Sequence, residues 1–178
     1  MKTRHGRSDL MRIHRNQLKR PLPKNWRPLG LTLTDFRFSI RTAVKATTNG
    51  DGRFCVYPDR FDIDIGFSDF IVYIDRQYPK GSCEYRAIRE HEDTHVSLYR
   101  SHLSRHEKNL KRTIKDTAAS IKPIIVRSPN QGARQIQRKM QTRISPIIKR
   151  LNRQADDANA RIDTRESYRD VQALCDNW

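Results

Sequence analysis

From Ser82 to Val96 the chain contains neither Gly nor Pro, and beyond it one set of residues keeps returning every three or four places: Ile88, Glu92, His95, Tyr99, Leu103, His106, Leu110, Ile114, Thr117 and Ile121. That spacing traces one face of an α-helix of about nine turns, with charged residues on the other faces. Ser82 is a fitting N-cap, and Glu84 brings a negative charge to the first turn, where the helix dipole favours it. Lys122-Pro123 ends the pattern, because Pro has no N–H to donate and turns its predecessor away from helix. A helix of this length with one apolar face must be buried on one side only, so the rest of the chain has to cover that side.

A second helical pattern follows the turn Ser128-Pro129-Asn130-Gln131-Gly132: Ala133, Ile136, Met140, Ile144, Ile147, Leu151, Ala155, Ala158 and Ile162. Pro146 lies inside it and predicts a kink or break near Ser145. The short connection implies antiparallel packing, which carries Asp163 to Tyr168 back toward the start of the first helix. Upstream, Leu31 to Ala46 alternates polar with apolar or β-branched residues and reads as a strand. Asn49-Gly50-Asp51-Gly52 reverses the chain into Arg53–Tyr57, followed by Phe61–Ile65 and Phe70–Ile74, with Gly66-Phe67-Ser68-Asp69 separating the last two. Asp62 and Asp64 alternate with apolar neighbours and are read as solvated residues on an open sheet face rather than metal ligands. The expected fold is α+β: a small antiparallel sheet of three or four strands, then a long helix packed antiparallel on a second long one.

With 178 residues, a mean hydropathy of −0.87 and 35% hydrophobic residues, one domain with a thin core is expected over 29–178. Residues 1–28 hold nine of the basic residues and one acid, Asp9, and read as a disordered basic arm. The net charge of +16 favours acidic partners such as nucleic acid or an anionic envelope surface. No apolar run is long enough to span a bilayer, and no signal peptide is visible, which points to a soluble chain. Cys55, Cys83 and Cys175 leave the redox compartment open, since an odd count neither requires nor excludes a disulfide.

His91-Glu92-Asp93-Thr94-His95 is an H-E-x-x-H sequence within the first helix. Residues four apart share a helix face, so both imidazoles can reach one metal ion, and Glu92 projects beside them as a proton acceptor for metal-activated water. The bland reading is a solvated helix face rich in His and Glu. A catalytic zinc needs a third protein ligand. His102 and His106 lie about 10 and 16 Å further along the axis than His95, too far for the same ion, and are read as structural or surface residues. The spacing of a metzincin is absent, because Leu98 and Ser101 stand where Gly and a third His belong. The returning segment offers Asp163, Glu166 and Asp170, of which Glu166 is the first choice, completing a two-His-one-Glu set. Its alternative is a surface pair with Arg165 or Arg169. Tyr168 is either a hydroxyl donor for a developing oxyanion or a packed core residue. A different class of reading makes the chain a basic nucleic-acid-binding or envelope-associated protein with a degenerate or purely structural metal site. It rests on Arg134, Arg138, Lys139, Arg143, Lys149, Arg150 and Arg153 in the second helix, a run without interleaved aromatic residues.

Tyr78-Pro79-Lys80-Gly81-Ser82-Cys83-Glu84-Tyr85, the motif His91 to Val96, and Asp163-Thr164 followed by Tyr168, Cys175 and Trp178 resemble a family of bacterial predicted secreted zinc-dependent proteases, a domain of unknown function with a zincin motif. The resemblance covers Leu29 to Trp178. It implies a zincin-like fold, zinc as cofactor, a peptide or protein substrate, and catalysis carried by His91, Glu92 and His95. It also implies a periplasmic or extracellular setting, with the cytoplasm as the alternative. Where that family carries Y-D-x-x-T-x-H-G near its C-terminus, this chain has Ile162 to Tyr168 without His or Gly, and Tyr168 falls at the place of the His. Cys83 and Cys175 stand as disulfide partners that would pin the two halves of the site together, leaving Cys55 free.

Overall fold

Alternation after Pro28 resolves into two long strands, β1 (Gly30–Thr48) and β2 (Phe54–Ile74), in a computed structural model that describes residues 5–18, 28–48 and 50–178. The chain is α+β. Helix α1 (Arg7–Leu18) precedes the strands; α2 (Cys83–Ala119), the short strand β3 (Ile124–Val126), α3 (Pro129–Ala160) and α4 (Arg165–Gln172) follow them. The sheet has the order β1-β2-β3. Side-chain contacts of Thr34 with Ser68, Ser39 with Asp64 and Lys45 with Asp59 run in opposite directions along β1 and β2, the signature of a hairpin. β3 pairs antiparallel with the start of β2, Val126 opposite Phe54 and Ile124 opposite Val56.

The three separate strand segments expected between Arg53 and Ile74 are one strand of 21 residues. The turn signals Gly66 and Asp69 do not interrupt it, although Asp69 takes a positive φ of 52°. Sheet neighbours on β1 and β3 outweigh two local breakers. The reversal itself occurs where Gly50 and Gly52 adopt φ of 73° and 76°, a conformation that costs glycine nothing. Asp64 is exposed and faces Arg41, and Asp62 pairs with Arg60, as solvated residues do.

The chain divides into two compact units: Met1–Asp35, Phe67–Ser101 and Ala155–Trp178 make the first, and Phe36–Gly66 with His102–Gln154 the second. In the second unit Ile136, Met140, Ile144 and Ile148 line one face of α3 and pack with Val56, Leu110, Ile121 and Val126 in its core. Gly132 permits that packing, since a Cβ there would lie 2.6 Å from Val56 Cβ. Pro146 does not break α3. Pro146 and Thr142 are both exposed, so water can serve the carbonyl that the proline leaves without its helical donor. In the first unit Leu29, Tyr78 and Ile88 form a smaller cluster, joined by Ile74, Tyr85, Tyr168 and Trp178.

The expected disordered arm is corrected over Arg7–Leu18, which is helical, with Leu10 fully buried. Arg7 reaches the buried Asp75, and the Arg76 N–H donates to the His5 carbonyl, tying the start of α1 to the end of β2. Its basic residues hid one apolar position per turn. The linker prolines Pro21 and Pro23 lie outside the described residues. No described helix is long and apolar enough to cross a membrane.

Replacing Gly132 by Ala is expected to lower the unfolding free energy by about 1–3 kcal/mol, the usual cost of overpacking a filled core. Gly66→Ala, which meets nothing within 4 Å, is expected to change it little. Urea unfolding of both variants measures the difference.

Candidate metal centre

The motif and the returning segment both belong to the first unit. Ser82 caps α2 as its composition suggests, accepting a hydrogen bond from the Tyr85 N–H at 3.0 Å. The helix is regular through the motif, so His91 and His95 leave one face, their rings edge to face with centroids 5.0 Å apart. Nitrogen and oxygen atoms of His91, Glu92 and His95 all lie within 4.8 Å of one another, a group able to hold a metal ion.

After α3 ends at Ala160 the chain turns and presents Asp163 before Thr164 caps α4 through a capping box with Ser167. Asp163 Oδ1 lies 3.2 Å from His91 Nε2 and 3.1 Å from His95 Nε2. The carboxylate that meets both histidines is that of Asp163, whereas Glu166, the first-choice third ligand, lies in the first turn of α4. The cap at Thr164 leaves Asp163 in the turn between α3 and α4, whereas Glu166 is already within the first turn of α4. Asp170 is exposed.

The second nitrogen of His95 decides what this convergence demands. Asn159 Nδ2 donates to the Ala155 carbonyl at 2.9 Å, which turns Asn159 Oδ1 toward His95 Nδ1, 3.0 Å away. Nδ1 therefore carries the hydrogen, and a neutral ring aims a bare lone pair from Nε2 at a carboxylate oxygen. Two acceptors at 3.1 Å require positive charge on or between them. A proton meets that demand: burial pushes His95 down, but the hydrogen bond and charge of Asp163 outweigh it and raise its pKa. Burial likewise pushes Asp163 up, and its hydrogen bonds with His91 and His95 prevail, holding it at about 2. A metal cation meets the same demand with both imidazoles neutral, and the donor set of two imidazoles and one carboxylate is one that binds zinc.

Glu92 is only 2% exposed. Burial raises its pKa against the opposing pull of His95, of a hydrogen bond from Thr32 and of His91. The Thr32 hydroxyl donates to Glu92 Oε2 at 2.7 Å. Two residues earlier on the same face of β1, Gly30 makes room for the carboxylate, since a Cβ there would lie 2.6 Å from Oε1. Tyr168 stands at the other side, its ring 5.3 Å from that of His91. It shares a small pocket with Leu29, Gly30, Ile88, His91 and Glu92. Tyr168 thus both packs on the apolar cluster and borders the two key motif residues.

Thr32, Gly30 and Asn159 escaped the sequence reading, because each acts through a partner 60 or more residues away. His14 escaped it too. This half-buried residue of α1 has its pKa lowered chiefly by burial, while the negative charge of Asp163 works in the opposite direction. His102 and His106 belong to the second unit, where their rings stack at 4.5 Å and His102 is buried.

Gly30→Ala is expected to displace Glu92 and cost about 1–3 kcal/mol of stability. Thr32→Val leaves the Glu92 carboxylate without that donor and is expected to cost about 1–3 kcal/mol. Denaturant midpoints at neutral pH check both, with Thr34→Val, which touches only the Ser68 carbonyl, as the milder comparison.

Compared with family models, with curated proteins and with solved structures, the chain matches none.

Proposed function

We propose that this chain is a zinc-dependent peptidase of zincin-like architecture, with His91, His95 and Asp163 as the metal ligands. The observation that carries the reading is the meeting of two Nε2 atoms with one carboxylate oxygen, beside a buried glutamate held by a hydrogen bond from Thr32. Zinc held there supplies a Lewis acid for a peptide carbonyl and lowers the pKa of the water it binds.

The chain's own residues do the rest. Glu92, fixed by Thr32, accepts the proton of the attacking water and returns it to the leaving amine, a role that suits a carboxylate whose pKa is raised by burial. Asn159 holds the His95 ring in the tautomer that leaves Nε2 available, as partners behind metal ligands do. Tyr168, beside His91, is the candidate donor to the oxyanion formed at the carbonyl. Two imidazoles and a carboxylate also suit ferrous iron. Glu92, placed for proton transfer, favours hydrolysis and zinc. The resemblance of Tyr78 to Tyr85 and of the motif to secreted zinc-dependent proteases points the same way.

Cys83 and Cys175 form a disulfide across 92 residues, with Cα atoms 5.9 Å apart, while Cys55 is free. Disulfides persist in oxidising compartments, which supports a periplasmic or secreted location in a bacterium.

The purified chain is expected to contain one zinc per molecule. His91→Ala, His95→Ala and Asp163→Ala should lose it, and Glu166→Ala should keep it. Glu92→Gln should retain zinc and lose roughly 10²–10⁴-fold in the rate of cleaving an unstructured protein substrate. Metal analysis with a proteolysis assay decides the matter. Absence of bound zinc, together with salt-sensitive nucleic-acid binding indifferent to these substitutions, would sink the reading in favour of a basic nucleic-acid-binding protein.

A further inference from the structure

Next to the small pocket over His91 and Glu92 lies a larger cleft of about 440 Å³, bordered by Leu29, Tyr78, Tyr168, Gln172 and Trp178, with Arg7 at one end. The two spaces share Leu29 and Tyr168, so the cleft begins where the proposed reaction centre ends. Three rings, those of Tyr78, Tyr168 and Trp178, line it together with Leu29 and the polar side chains of Arg7, Gln77 and Gln172. Tyr78 and Trp178 meet edge to face with centroids 5.6 Å apart, and the indole N–H is already satisfied by the Cys175 carbonyl at 2.8 Å. The disulfide at Cys175 anchors the segment that carries Trp178, which keeps this wall in place.

The chemistry of the lining selects an occupant. A space of this size exceeds what a methyl or a short aliphatic side chain fills, and an aromatic ring entering it gains edge-to-face contacts in addition to burial. A cationic side chain would meet the Arg7 guanidinium. An acidic one gains little from that same group, because Arg7 already faces the buried carboxylate of Asp75 at 3.5 Å and donates to the Gln77 side chain at 3.2 Å. Gln172, on the exposed end of α4, offers an amide to the main chain of whatever enters.

We infer that this cleft is the specificity subsite of the proposed peptidase and takes an aromatic side chain of the substrate beside the scissile bond. The inference rests on the peptidase reading for its function, but not for the binding itself. The test therefore separates the two. Zinc-loaded Glu92→Gln protein is titrated into fluorescein-labelled, end-blocked peptides that differ at one residue, Phe, Ala or Lys, and anisotropy reads the affinity. The Phe peptide is expected to bind on the order of tenfold or more tightly than the Ala and Lys peptides. Gln172→Trp, which fills the cleft from its rim, should bring the three affinities together while zinc content and unfolding midpoint stay as in the parent. Trp178→Leu, which removes a ring from the wall, should weaken the Phe peptide most. Equal affinities for the three peptides, or a Phe preference untouched by both substitutions, overturn the subsite. Wild-type protein that cleaves none of the peptides yet keeps a Phe preference sensitive to Gln172→Trp overturns the peptidase reading and leaves the cleft standing as a binding site. Cleavage without regard to the residue overturns the subsite alone.

Discussion

Three electron-rich atoms, two imidazole nitrogens and one carboxylate oxygen, converge within hydrogen-bonding distance in the first unit, and that convergence demands positive charge, which a proton or a metal ion can supply. Much of the surrounding structure makes sense as its support. Asn159 fixes which nitrogen of His95 carries hydrogen, and Asn159 itself is oriented by a carbonyl one turn earlier on α3. Thr32 donates to the Glu92 carboxylate and Gly30 leaves it room beside the group. Such partners set the orientation and basicity of the groups they touch, so the site is built from four stretches of chain at once.

The segment that closes the site is lightly held by packing. α4 is eight residues long and buries none of them. What keeps it in place is the capping box at Thr164, the ring contact of Tyr168 with His91, the Tyr78–Trp178 pair and the disulfide from Cys175 to the first residue of α2. A disulfide that closes a long loop removes much of the freedom the unfolded chain would otherwise regain, which suits a part of the molecule with little core of its own.

Much of the architecture was legible from periodicity. The long motif helix, its cap at Ser82 and its end before Pro123 follow from spacing and from local chemistry, as do the second helix and its return. Misreadings came where long-range packing overrode local signals. Gly66 and Asp69 looked like a strand break but lie within one continuous strand, and Pro146 looked like a helix break but sits on an exposed face where the lost bond costs little. The basic stretch before Pro28 concealed a helix, because about one apolar position per turn is too weak a pattern to stand out among so many charges. β3, only three residues long, carries no period at all.

In the site, the sequence by itself determined that His91, Glu92 and His95 share one helix face, because their spacing is a local property of the α-helix. It also narrowed the third contributor to the carboxylates after the second helix. Only the tertiary structure brings Asp163 to both histidines, since that depends on where α3 stops and where Thr164 starts α4. The same holds for Thr32, Gly30 and Asn159. Each meets its partner across a separation at which residue order carries no information about distance, and only the packing of the first unit brings them within reach.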